Sequence, residues 1–153
     1  MKSPPALSPD AVARRCAELM WPTDSAAQGL GIQIVEVGAG RATLTMSVRP
    51  DMVNVHGNCH GGYIFALADT AFGYACNSQN QRAVTASSEI SFLAPAQLGN
   101  LLTAQAHVRQ QGKRRGVYDV EVTSQDGRLI ALFRGHAARI AGYYFDPDDT
   151  SGG

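Results

Sequence analysis

The sequence predicts an α+β fold, a curved antiparallel sheet wrapped around one long central helix, with an extra helix at the N-terminus. Three observations carry that expectation. The stretch Gly61–Cys76 contains no Pro, is rich in Ala and is apolar nearly all round, which is the pattern of a helix buried on most of its sides. Two β-type runs precede it and four follow it. Short Gly- or polar-rich turns separate most of the runs, as hairpin connections require.

The elements follow in order. Ser8 can cap a helix whose first position suits Pro9, and that helix should run over about 9–20 and stop before Pro22. Residues 31–37 and 42–48 read as strands joined through the turn Gly38-Ala39-Gly40. Residues 50–58 read as a loop and Gly61–Cys76 as the central helix. Residues 82–93, 101–109, 116–123 and 129–140 read as strands, with turns at 110–115 and 124–127. Residues 143–153 are acidic and end in Ser-Gly-Gly, so a flexible tail is expected there. A chain of 153 residues fits one domain spanning 1–153. One sheet cannot cover a helix that is apolar on every side, so a second copy is expected to close the open side.

Composition excludes several classes of function. Thirteen basic residues balance thirteen acidic ones, so no net charge is available to grip nucleic acid. Only 17% of residues are charged, against about 25% in typical domains, and this points to surface covered by another copy. No apolar run reaches the ~18 residues of a membrane span, so no membrane partner is expected. The N-terminal residues lack a hydrophobic signal region, and Cys16, Cys59 and Cys76 are odd in number and far apart. A disulfide framework is therefore not expected, and a reducing cytoplasm is. The pair His56 and His60 lies in a Gly/Asn-rich stretch, and neither spacing nor residue type predicts a metal.

Asp69 is the decisive residue. It sits mid-helix between Leu67-Ala68 and Ala71-Phe72, where an unpaired carboxylate costs several kcal/mol or becomes protonated. Helical spacing places it on one stripe with Gly62, Ala66, Phe72 and Gly73. Most of that stripe is small, which leaves room for another chain or a ligand. Asp69 is either a structural carboxylate bonded to a partner helix or a general base or nucleophile. Just upstream, Asn54, His60, Gly61 and Gly62 surround the helix start. Unpaired N–H groups and the helix dipole there can polarise a substrate carbonyl. Cys59 beside His60 would suit a thiol nucleophile, but adjacent side chains diverge and no orienting residue is evident. Gly61 and Asp69 are eight residues apart, roughly 12 Å along a helix. If both act on one carbonyl, they must come from different subunits, with sites across a dimer interface and an inactive monomer.

The segment HGNCHGGYIFALADTAFGYACN resembles acyl-CoA thioesterases of the hotdog-fold superfamily, in the branch acting in phenylacetate degradation. The resemblance covers about 29–140 and agrees with the order of elements. It implies hydrolysis of an acyl-CoA, with phenylacetyl-CoA or hydroxyphenylacetyl-CoA as expected substrate, by a homodimer or homotetramer. CoA would be part of the substrate, and no cofactor is implied. By matching position, Asp69 would be the nucleophile or the base that activates water. The Gly61 N–H would polarise the carbonyl, Asn54 and His60 would shape the pocket, and Ser87 would position the water.

Polyanionic CoA also calls for basic side chains. Lys113, Arg114 and Arg115, with Arg109 nearby, form the densest basic cluster and fall in a turn. Tyr63, Phe65 and Phe72 are near enough to line an acyl pocket with Gly62, and they are equally good core residues. Two other functions remain open at this level. A dehydratase or hydratase would pair His60 with an acid, although no second acid is in place. A non-catalytic acyl-CoA sensor would need a docking segment longer than the N-terminal helix.

Overall fold

Ser8 and Pro9 start the first helix. In the computed structural model, which describes residues 5–149, Ser8 Oγ accepts from the Ala11 N–H at 3.1 Å and α1 runs Pro9–Met20. Its buried residues Ala13, Cys16 and Ala17 face inward, and the helix lies against strand β1 (Gln33–Gly38). A short helix α2 (Ser25–Gly29), capped by Asp24, adds to the expected elements. The caps of α1 and α2 each accept a backbone N–H that the helix itself leaves unpaired.

The sheet has six antiparallel strands. After β1 come β2 (Arg41–Ser47), β3 (Ala83–Phe92), β4 (Leu101–Gln111), β5 (Arg115–Ser124) and β6 (Leu129–Arg139), in the spatial order β1-β2-β4-β5-β6-β3. The expected strands are all present, within one or two residues at most ends. The turn between β4 and β5 is tighter than expected, at 112–114, because β4 continues to Gln111 and β5 begins at Arg115.

The central helix α3 (Gly61–Cys76) packs on β2, β4 and β5. Leu44, Leu102, Val120, Val122 and Ile130 face it with no exposed surface. At Gly135 on β6, a Cβ would stand 2.8 Å from the Phe72 ring, so a glycine is what lets the helix close onto that strand. Strand β3 leaves α3, crosses to the far edge beyond β6, and contains no buried residue.

The expected flexible tail makes definite contacts over its described part. Asn80, itself buried, accepts from the Tyr144 and Phe145 N–H groups and donates to the Phe145 carbonyl. Arg15 lies 4.2 Å over the Phe145 ring and pairs with Asp149, while Arg82 stacks on Tyr144. Aromatic residues therefore tie residues 143–149 to α1 and to the end of α3, although acidic composition alone reads as loose. Residues 150–153 of that expected tail lie outside the described residues. Among the described residues, no helix is long and apolar enough to cross a membrane.

Candidate active site

The start of α3 is set by the loop before it. Asn54 Oδ1 accepts from the N–H groups of His56 and Asn58, folding the loop on itself. The His60 N–H donates to the Met52 carbonyl, and the Cys59 N–H to that of Ala96. His60 is the N-cap, and its Nδ1 accepts the Gly62 N–H at 2.9 Å. The Tyr63 N–H donates to the His60 carbonyl. The Gly61 N–H has no acceptor among the described residues. One donor at the positive end of a sixteen-residue helix thus remains free. Above it lies the Phe92 ring, close enough that a Cβ on Gly61 would meet its tip at 2.9 Å.

Asp69 lies two turns further along α3, half-buried. No donor among the described residues reaches its carboxyl, and burial alone pushes its pKa above the usual carboxylate value of 3.8. Its charge also helps, after burial, to push the Cys76 thiol up to about 12. Gly62 is exposed and Ala66 and Gly73 are half-buried, so the small-residue stripe around Asp69 is the face that the chain's own sheet leaves open.

Phe72 departs from the expected stripe. It is fully buried, with its ring 5.7 Å from Tyr118 and 5.8 Å from Phe133, and belongs to the core rather than to a substrate pocket. The reason is angular, since residue 72 is turned toward Gly135 and the sheet. Phe65 is half-buried with its ring 5.4 Å from Phe133, and Tyr63 is half-buried beside His60.

Ser87 is not brought to Asp69. On β6, Phe133, Gly135 and Ala137 are buried on the helix side, while His136 is exposed. Residues directly opposite in an antiparallel pair share a face. Ser88, opposite Gly135, and Thr85, opposite Ala137, therefore face the helix side, whereas Ser87, opposite His136, faces away. A bulge between Thr85 and Ser87 produces this switch. Thr85 and Ser88 are thus the hydroxyl residues that this strand turns toward the helix side.

The basic cluster divides in two. Lys113, Arg114 and Arg115 line a groove of about 720 Å³ with Gln110, Ser87 and His136. Arg109 stands apart, 3.6 Å from Asp119, which Arg134 also pairs at 2.7 Å. Those guanidinium groups, Arg134 foremost, hold the Asp119 carboxyl below its usual range. Among the described residues no three His, Cys, Asp or Glu side chains gather as metal ligands. Cys59 is buried and its thiol is pushed up to about 11 by burial, the opposite of what activates a thiol nucleophile.

Residues 56–131 match the thioesterase superfamily. The acyl-coenzyme A thioesterase PaaI of Escherichia coli is 50% identical over 82% of this chain and 90% of its own length. The solved structure of E. coli PaaI, from the phenylacetic acid degradation operon, superposes with a TM-score of 0.88 at 48% identity, covering 89% of this chain and 99% of that one. A hypothetical thioesterase protein of Streptococcus pneumoniae, solved with coenzyme A, gives a TM-score of 0.71 at 29% identity, over 73% and 88% of the two chains. Two further structures of that protein carry alanine in place of an aspartate and of a threonine sixteen positions later.

Proposed function

Because the chain belongs to the thioesterase superfamily and is an acyl-CoA thioesterase, we propose that Asp69 of one copy and the Gly61 N–H of another act on the same thioester carbonyl. The observation that carries this is a half-buried carboxyl with no donor among the described residues, on the same helix as a Gly61 N–H with no acceptor among them. The two are eight residues apart, roughly 12 Å along the rod, so one subunit cannot apply both to one carbon. The open stripe around Asp69 and the unpaired edge strand β3 support a second copy closing that side.

In this reading the carbonyl oxygen accepts from Gly61, backed by the helix dipole. Asp69 either takes a proton from the attacking water or attacks the carbon itself. In the base route the carbon–sulfur bond then breaks, the acid is released and the proton held by Asp69 passes to the CoA thiolate. In the nucleophilic route CoA leaves first, taking a proton from solvent, and water then hydrolyses the acyl–Asp69 anhydride to release the acid and restore the carboxylate. Asn54 holds the loop, and His60 fixes the first turn by occupying the Gly62 N–H. Thr85 replaces Ser87 as the hydroxyl that orients water. It faces the helix side and stands sixteen positions after Asp69, the same spacing as the aspartate and threonine replaced in the S. pneumoniae protein.

The groove of Lys113, Arg114 and Arg115, joined by His136, is the cationic surface suited to CoA phosphates. Arg109 lies outside that groove, beside Asp119, and contributes less. Phenylacetyl-CoA or a hydroxylated phenylacetyl-CoA is the proposed substrate, supported by the operon of the E. coli relative. Replacing Asp69 by Ala or Asn should lower kcat by about 10²- to 10⁴-fold while circular dichroism and assembly size are unchanged. Thioester hydrolysis persisting at the wild-type rate would refute the assignment.

A further inference from the structure

The Phe92 ring is a large apolar group left half in the open. It is 52% exposed at the last position of β3, opposite Ala131. Because Ala131 is buried against the helix side, Phe92 points to the same side and its ring covers the start of α3. The contact is with Gly61, where any side chain would run into the ring tip. The half-covered ring and the unpaired Gly61 N–H are therefore neighbours at one helix end.

We propose that Phe92 is a specificity-determining residue, the apolar wall on which the acyl group packs when its carbonyl is held by Gly61. The inference rests on the assignment of the Gly61 N–H to the carbonyl. An oxygen at hydrogen-bond distance, about 2.9 Å from that nitrogen, puts the first acyl carbons within contact of the ring. The thioester has two arms. The pantetheine arm carries amides and a hydroxyl that need polar partners, and an unsubstituted phenyl ring offers none. An acyl group ending in a ring gains most from it, through offset or edge-on stacking. Phe72 is sealed in the core and cannot serve this purpose.

The test compares kcat/KM of wild type and Phe92→Ala across phenylacetyl-CoA, hexanoyl-CoA and acetyl-CoA, which share the CoA arm. Phenylacetyl-CoA should lose about tenfold, hexanoyl-CoA less, and acetyl-CoA under about twofold. Phe92→Tyr should keep the wild-type order of substrates, and Phe92→Leu should retain hexanoyl-CoA turnover while losing phenylacetyl-CoA turnover. An equal loss for all three substrates, or no loss for any, would overturn the proposal. Asp69→Asn run beside it separates the two readings. If that variant is inactive and Phe92→Ala shows no dependence on the acyl group, the wall fails and the catalytic assignment stands. If Asp69→Asn remains active, the catalytic assignment fails first.

Discussion

At the scale of the single residue, Asp69 joins catalysis to pH and stability through one physical cause. Burial without a donor raises its pKa above 3.8, and either catalytic role requires the ionised form. The acid limb of kcat/KM should therefore inflect above the pH at which an ordinary carboxylate titrates, and the limb should disappear with the residual activity of Asp69→Asn. The stability consequence has a definite sign. Between the unfolded and the folded pKa the native state holds more protons, so stability falls as pH rises through that window. Asp69→Asn carries no such charge. Melting curves should show it more stable than wild type at pH 7, with the gap closing below pH about 3.8. A variant less stable than wild type at pH 7 would mean that the carboxylate is paired in the assembled protein.

At the scale of the element, β3 separates what the sequence makes legible from what it hides. Its existence, length and place after α3 follow from a β-type run between turn signals. The chain order of the six strands and both long helices was legible in the same way, from the cap at Ser8 and from the apolar girth of Gly61–Cys76, whereas the His60 cap was not. The bulge was not legible. The run Val84-Thr85-Ala86-Ser87-Ser88 is small and polar on both faces, so its alternation contains no hydrophobic register to count from. One extra residue turns Ser87 outward and leaves Thr85 and Ser88 as the inward hydroxyls. Phe72 was misassigned for a related reason, since a stripe on a helix apolar all round does not say which edge turns toward the sheet. Thr85→Val should lower kcat by at least tenfold, while Ser87→Ala should leave kcat with acetyl-CoA within about twofold of wild type. The reverse order would place the bulge elsewhere in the catalytic assembly.

At the scale of the whole molecule, the question is whether one helix or two build each site. The variant Gly61→Pro isolates the donor at residue 61. Proline has no N–H, yet the first helical position accepts it readily, and His60 already has the extended backbone that a residue before proline needs. The Phe92 ring that would meet the new atoms is half-exposed and can turn aside. Gly61→Pro and Asp69→Asn should each be nearly inactive alone. When the two chains are co-expressed and pair at random, half of the dimers contain one of each. Such a dimer has one site with both groups lost and one with both intact, so the mixture should recover about a quarter of wild-type activity. Should donor and carboxyl belong to one subunit, every site in the mixture would lack one of them and the activity would stay at the level of the single variants. Tagging the two chains differently and assaying the purified heterodimer raises the expected recovery to about half, a value that neither variant alone can imitate.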